Sequence, residues 1–168
     1  MRRAASFLLF LAGCAPAPPP AAAPTGRAFV LVEAAGTGPE AEAFVSRFLS
    51  VLSDRGLGNV ADARLSGVAL ETLRDPDAPA AAAFRRRYPG DGYVGIDLPG
   101  CGPVGRGGIQ CTATVRFLSP EGKELVKVDA SGSNFTGIST DPDRSPEIEA
   151  ARAAAEKAAR RFLAALGR

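Results

Sequence analysis

Hydrophobic residues recur along this chain at two spacings, which predict strands and helices in turn. Runs that are apolar throughout, or at every second position, predict strands at residues 28–32, 59–65, 93–98, 110–118 and 124–130. Apolar positions three and four apart predict helices between residues 37 and 56 and at 68–73, 78–88 and 146–166. The order β-α-β-α-β-β-β-α predicts an α/β (α+β) fold, with a single small mixed sheet of about five strands and helices packed on it.

The same patterns predict which side of each element is buried. The apolar stripe of the first long helix consists of Ala41, Phe44, Val45, Phe48, Val51 and Leu52. That of the last helix consists of Ile148, Ala151, Ala155, Ala159, Phe162 and Leu166. The strand at 110–118 places Cys111, Ala113, Val115 and Phe117 on one face and Thr112, Thr114 and Arg116 on the other. A capping-box spacing from Thr37 to Glu40 marks the start of the first helix.

Two segments rich in glycine and small polar residues are predicted to be loops. Residues 100–105 match the G-x-G-x-x-G spacing of dinucleotide sites, but a strand follows them where such a site needs a helix. We therefore expect a flexible hairpin loop there. In the second segment, residues 131–145, Asp141 and Asp143 are expected to serve turns, because the spacing of a calcium loop is missing.

The beginning of the chain has the layout of a secretory signal peptide. Arg2 and Arg3 precede an apolar run at residues 4–12 that is too short to span a bilayer. The run ends in Leu11-Ala12-Gly13-Cys14, which resembles the lipobox of bacterial lipoproteins. The resemblance implies removal of residues 1–13, diacylglycerol on the Cys14 thiol and an acyl chain on its amine. The alternative is an ordinary signal peptide with a chance cysteine.

A proline-rich segment follows the predicted lipid-attachment site. Residues 14–26 contain five prolines among alanines, and such a sequence favours an extended tether about 35 Å long. Residues 27–168 then form the single predicted domain, which is expected to lie in the periplasm.

Charge and composition exclude several classes of function. Removing Arg2 and Arg3 from the 20 basic residues leaves 18 against 18 acidic ones, so the mature chain lacks the basic excess that nucleic-acid binding needs. The chain has no histidine, which removes the commonest general base and metal ligand. We expect no catalytic residues, no cofactor, no metal site and no nucleic-acid partner. The basic run Arg85-Arg86-Arg87 is interpreted as the solvated end of a helix.

The two remaining cysteines, Cys101 and Cys111, form an even pair in an exported protein. They flank the glycine-rich segment between two predicted strands, so a disulfide could staple a hairpin there. Two buried free thiols are the alternative. A metal site is disfavoured because neither a histidine nor a second cysteine pair is present to complete it.

The domain also resembles a group of bacterial envelope proteins. An alanine-rich helix at 78–88 leads into Asp91-Gly92-Tyr93-Val94-Gly95-Ile96, and a hairpin and a last helix follow. This order resembles the lipoprotein activators of penicillin-binding proteins, the curli-secretion lipoprotein and the amino-terminal domain of the Tol-system propeller protein. The chain departs from the sequence motif usual in these proteins at residues 89–93, so no binding residue is transferred from them to this chain.

We expect a non-catalytic, lipid-anchored envelope lipoprotein that binds another envelope protein in an assembly or activator role, because a proline-rich tether lets the domain reach a partner through the periplasm. The expected partners are membrane lipid, through acylated Cys14, and an envelope protein. Ala15 after the cysteine resembles outer-membrane sorting, so the expected location is the outer membrane, with the domain facing the periplasm. An auxiliary lipoprotein of an envelope transport system is the alternative function.

Overall fold

The domain is built on one five-stranded mixed sheet in the order β2-β1-β3-β4-β5. The computed structural model describes residues 29–36, 38–105, 107–135 and 145–167. The strands are β1 (Phe29–Ala35), β2 (Val60–Asp62), β3 (Gly92–Val104), β4 (Gly108–Leu118) and β5 (Glu124–Asn134). The helices are α1 (Pro39–Asp54), α2 (Pro79–Arg87) and α3 (Pro146–Ala165), with short 3₁₀ helices at Arg64–Ser66 and Leu70–Arg74. The predicted fold class is confirmed.

Strand direction gives the sheet two distinct ends. β1 runs parallel to both β2 and β3, so the first residues of these three strands lie together, with Phe29 paired to Val60 and to Gly92. We call this end the N-terminal pole. β3, β4 and β5 are antiparallel neighbours joined by two hairpins. The chain therefore enters the domain at one end of the sheet, and the β3–β4 hairpin turns at the other.

The main core lies between one face of the sheet and the pair α1 and α3. The predicted stripes of both helices are buried here, apart from Val51 and Leu166, which are partly buried. Phe162 of α3 meets Phe29 and Phe117 edge to face, at centroid distances of 6.2 and 5.6 Å. These three rings join α3 to β1 and β4, so the first and last elements of the domain are held by the same contact.

A smaller core covers part of the opposite face. Val30, Val32, Tyr93 and Leu118 point to this side and are covered by Leu70, Leu73, Ala81 and Phe84 of the second 3₁₀ helix and α2. Burial raises the pKa of the Tyr93 hydroxyl, which donates a 3.3 Å hydrogen bond to the Tyr88 carbonyl. This cover lies over β1, β3 and the end of β4.

The structure corrects both loop predictions. β3 continues through the glycine-rich segment to Val104, because Gly100 and Gly102 pair with Thr112 and Gln110 of β4. β5 likewise continues to Asn134, so residues 131–134 of the predicted loop belong to a strand, and residues 136–144 lie outside the described residues. In both segments the neighbouring strand supplies backbone hydrogen bonds that compensate for the low strand propensity of glycine and serine.

Two further boundaries differ from expectation. The predicted strand at 59–65 pairs only over Val60–Asp62, after which the chain turns into the 3₁₀ helix at Arg64–Ser66. Leu65 is consequently fully exposed, although alternation predicts it on the buried side. At the first helix the N-cap position is Gly38, while Thr37 lies outside the described residues.

Candidate functional site: the open sheet face

Beyond α2, no described helix or strand packs on the second face of the sheet over β4, β5 and the later part of β3. Directly paired residues in neighbouring strands share a face, so the registers define cross-strand rows. The rows are Gly95–Arg116–Lys127, Asp97–Thr114–Asp129, Gly100–Thr112–Ser131 and Gly102–Gln110–Ser133. We call these residues, without the covered Gly95, the open sheet face.

The part of the open sheet face farthest from the N-terminal pole carries short side chains, apart from Gln110. A Cβ atom added at Gly100 or Gly102 would meet nothing within 4 Å, so the β3 side of the face carries no projecting group there. The neighbouring Thr112, Ser131 and Ser133 add only hydroxyl-bearing side chains, and they are half-buried or exposed. No described helix packs on these rows.

The charges on this face are arranged in two adjacent rows. Thr114 Oγ1 donates a 2.7 Å hydrogen bond to Asp129 Oδ1, which fixes that carboxylate on the surface. In the next row towards the N-terminal pole, Arg116 lies 3.5 Å from Glu71 of the second 3₁₀ helix. From α3, Arg161 reaches around β5 and donates to the Asp129 carbonyl.

A shallow polar cavity of about 260 Å³ lies where Arg161 meets the open sheet face. Thr112, Thr114, Asp129 and Ser131 form its walls, together with the Arg161 side chain. These groups offer hydrogen-bond donors and acceptors of both charges, beside the apolar Ala113 and Ala130. The arrangement suits polar docking better than the enclosure of an apolar ligand.

A larger cleft of about 620 Å³ lies beside β2, at the opposite edge of the sheet. Arg64 donates to Asp62 Oδ2 at 2.8 Å and to Glu42 Oε1 at 3.0 Å. The Arg64 hydrogen bonds lower the pKa of the Asp62 carboxyl, and the Asp62 carboxylate in turn raises the pKa of Arg64. Asp62 is therefore held ionised, whereas a general acid needs a raised pKa.

Cys101 and Cys111 form a disulfide, in place of two free thiols. The two residues are direct cross-strand partners in β3 and β4, with their Cα atoms 4.1 Å apart. Cys111 is fully buried, and its Sγ lies 3.4 Å from the Glu147 carbonyl in the first turn of α3. The disulfide therefore lies on the helix-covered side of the sheet, with the open sheet face opposite.

The other predicted sites are dispersed. Cys14, the signal peptide at 1–13, the tether at 14–26 and the pair Asp141 and Asp143 all lie outside the described residues. In the Arg85-Arg86-Arg87 run, Arg85 turns inward to the Leu73 carbonyl, and Arg87 lies over the Tyr88 ring. Within the described ranges, no group of three His, Cys, Asp or Glu residues could hold a metal ion.

The sequence pattern predicts only part of the open sheet face. It places Thr112, Thr114 and Arg116 on a common polar side, but it predicts a loop at Ser131 and Ser133. The signal that could have placed them is the period-2 alternation of β5, in which Val126, Val128, Ala130 and Gly132 are buried. This alternation continues past residue 130.

Neither a family model nor a curated protein matches this sequence, whereas solved structures do. The PelC dodecamer from Paraburkholderia phytofirmans is 12% identical, covers 79% of this chain and 83% of its own, and has a TM-score of 0.52. A PelC variant is 14% identical, with shares of 79% and 85% and a TM-score of 0.53. Lipoprotein GNA1162 from Neisseria meningitidis is 16% identical, with shares of 70% and 88% and a TM-score of 0.43.

The PelC likeness is one of fold. At this level of identity it places the chain among domains that share the mixed sheet and its packed helices, and it transfers no site. Within the described ranges, no helix is long and apolar enough to cross a membrane.

Proposed function

We propose that this chain is a lipid-anchored outer-membrane lipoprotein whose periplasmic domain binds another envelope protein through the open sheet face. The role is one of assembly or activation, without catalysis. The carrying observation is the open sheet face itself: three paired strands present a polar surface on which no described helix packs.

The form of this surface favours a protein partner. Interfaces bury broad, complementary areas with polar rims, whereas small-molecule sites are concave and mostly apolar. The open sheet face offers hydroxyls, an amide and charges of both signs at regular cross-strand spacing. Glycines at positions 100 and 102 allow a partner to approach the β3 backbone closely.

The alternative, an auxiliary lipoprotein of an envelope transport system, would be favoured by an apolar groove for lipid. Charged side chains line both cavities described above, which supports protein docking instead, although the cleft beside β2 exposes more apolar than polar surface. An envelope hydrolase would be favoured by paired buried carboxylates. Asp97 and Asp129 are exposed instead, and Thr114 stands between them in their row.

The anchor and tether predicted from the sequence support the same role. A domain on a tether of about 35 Å can reach a partner while remaining bound to the membrane. More than one acyl chain is needed for stable attachment, as the lipobox resemblance implies for Cys14.

Site-specific photo-cross-linking in cells tests the docking surface. A photoreactive amino acid at Thr112 or at Ser133 is expected to capture the same envelope protein, because both positions lie on the open sheet face. Ser50 is the matched control, since it is exposed on α1 at the opposite side of the domain. Capture of lipid alone, or equal capture of that protein from Ser50, would overturn docking through this face.

A separate experiment tests the anchor. Cys14→Ala is expected to lose the mass of the acyl chains and to move the protein from the membrane fraction to the soluble fraction. An unchanged mass and unchanged partitioning would exclude lipidation at Cys14 without bearing on the docking surface.

A further inference from the structure

The two side edges of the sheet carry opposite surface charge, and we propose that copies of this chain associate head to tail, with the β5 edge of one copy against the β2 edge of the next. The relative orientation of the copies rests on the proposed lipid anchor. The charge pattern of the two edges is a property of the described residues alone.

The β5 edge is cationic. Lys127 lies on β5, and Arg161 reaches the Asp129 carbonyl from α3. Lys157 precedes Arg161 by one helical turn and therefore lies on the same flank of α3. All three side chains are exposed. β5 also carries two acids, of which Asp129 accepts a hydrogen bond from Thr114 on the open sheet face and Glu124 pairs with Arg74. We call Lys127, Lys157 and Arg161 the β5-edge cations.

The β2 edge presents acids. Glu42 of α1 and Asp62 of β2 flank Arg64, and their side chains are 72% and 49% exposed, whereas that of Arg64 is 26% exposed. The guanidinium therefore lies behind two outward carboxylates, and the surface offered to a neighbour is acidic. We call Glu42 and Asp62 the β2-edge acids. Beside them Leu65 is fully exposed and offers an apolar contact at the centre of such an interface.

A contact between unlike edges is favoured over one between like edges. Two β5 edges would bring six cations together, because the β5-edge cations would face their own copies. Like-charge contacts across an interface are costly, whereas opposite potentials attract partners and fix their orientation. The charge pattern therefore favours a heterologous contact, which can repeat from copy to copy.

The position of the chain entry favours the same arrangement. A head-to-tail contact about an axis along the strands keeps every N-terminal pole on one side, as chains anchored in one membrane require. Antiparallel pairing of two β5 strands would place the poles at opposite ends. β3 has 13 residues, so those ends lie about 40 Å apart, and a tether of about 35 Å would be too short to span the domain.

The contact is made by side chains and does not extend the sheet. β2 pairs over only three residues, which offers little backbone for a further strand. At the other edge the Asp129 carbonyl already accepts a hydrogen bond from Arg161. Both edges are thus protected against strand addition while their charges remain available.

Zero-length cross-linking tests this contact directly. The chain has only three lysines, Lys123, Lys127 and Lys157, so few amide bonds to carboxylates can form. Lys127 and Asp62 lie on strands four spacings apart, about 19 Å, which excludes a zero-length bond between them within one copy. Full-length protein in detergent, prepared as an equal mixture of ¹⁴N and ¹⁵N copies, is treated with a carbodiimide and analysed by mass spectrometry.

The expected products are mixed-isotope peptides that join Lys127 or Lys157 of one copy to Glu42 or Asp62 of another. Lys123, in the turn between β4 and β5, is the internal control and is expected to give none with these acids. Mixed-isotope bonds from Lys127 or Lys157 to Asp129 would instead show β5 edges meeting. That result, or the absence of mixed-isotope products, would overturn the head-to-tail contact.

Charge reversal sharpens the test without removing a lysine. Arg161→Glu and Glu42→Arg are each expected to lower the mixed-isotope yield by about tenfold. Mixing a light Arg161→Glu chain with a heavy Glu42→Arg chain should restore it, so that heavy–light products exceed heavy–heavy and light–light ones. Arg160→Glu is the matched control, because the exposed Arg160 pairs with Glu156 on the side of α3 that faces α1, away from the β5-edge cations.

The outcomes separate this inference from the proposed function. Loss of the cross-link in the detergent-solubilised protein would overturn self-association while Cys14 lipidation and docking through the open sheet face stand. If neither the wild-type chain nor the Cys14→Ala chain carries acyl groups but both give the Lys157–Glu42 product, the lipid anchor is overturned and the edge contact remains in place.

Discussion

Gly132 is where α3 comes closest to the sheet, and its replacement by alanine is the most direct test of the packing. A Cβ atom at this position would lie 2.1 Å from the Ala154 nitrogen and 2.3 Å from the Ala150 carbonyl oxygen. Ordinary contact begins near 3.4 Å, so α3 and β5 would have to separate by more than about 1 Å. Both colliding groups are backbone atoms, which no rotamer change can move aside.

The expected cost follows from these distances. Overpacking a core costs about 1–3 kcal/mol, and a backbone collision belongs at the upper end of that range. Alanine in place of glycine within a strand returns about 0.5–1 kcal/mol. We therefore expect Gly132→Ala to lower the free energy of unfolding by about 2 kcal/mol, which corresponds to a urea midpoint lower by about 1 M.

Urea unfolding of the purified protein, followed by circular dichroism, measures this loss. Gly102→Ala is the matched control, because Gly102 also lies in a long strand of the same sheet but its Cβ would meet nothing within 4 Å. The control is expected to stay within about 0.5 kcal/mol of the wild type or to gain slightly. Equal stability of both variants would refute the close seating of α3 on β5.

Three further results are expected. Replacing Cys101 and Cys111 by serine removes the cross-link from the unfolded chain and should cost about 2–3 kcal/mol in urea unfolding. Phe162→Ala should cost about 3–5 kcal/mol, because the ring is fully buried and its removal leaves a cavity. Asp62→Asn should be less stable than the wild type at neutral pH, and the difference should narrow as pH falls below about 4, measured by urea unfolding from pH 7 to 2.5.

The sign of the Asp62 effect follows from the lowered pKa. Arg64 stabilises the carboxylate in the folded chain, so the contribution is present above the unfolded pKa and is lost as pH falls through the folded pKa. A difference between wild type and variant that is independent of pH would contradict it. For Phe162→Ala the control is Leu125→Ala, which truncates a half-exposed side chain and should change stability far less.

Periodicity alone identified the elements whose buried faces are large and regular. Phe44, Phe48 and Phe162 stand at helical spacing, and burying those stripes against a sheet is the main way such a sequence can remove them from water. Strand β4 was equally clear, because its buried and exposed residues alternate without interruption over residues 111–117. These signals are local, so they can be recognised without knowledge of the rest of the chain.

Glycine-rich strands and the 3₁₀ segments could not be derived in the same way. Gly100, Gly102 and Gly132 have low strand propensity, and they lie in strands because neighbouring strands provide their hydrogen bonds. Leu65 was placed wrongly because the short pairing of β2 ends before it. Such outcomes depend on partners that are distant in sequence.

The sequence by itself determined the fold class, the apolar stripes of the helices and the presence of an even pair of cysteines, since each follows from local spacing and composition. It also predicts lipid attachment at Cys14 and, with it, a location in the cell envelope. The tertiary structure alone decided that α2 and the second 3₁₀ helix cover β1 and the first part of β3, while no described helix packs on that side of β5, of the middle of β4 or of the rest of β3. It also decided that Arg161 and Glu42 lie at opposite edges of one sheet. Alternation states that a face is polar, but only the packing of the other elements decides whether that face remains open to a partner.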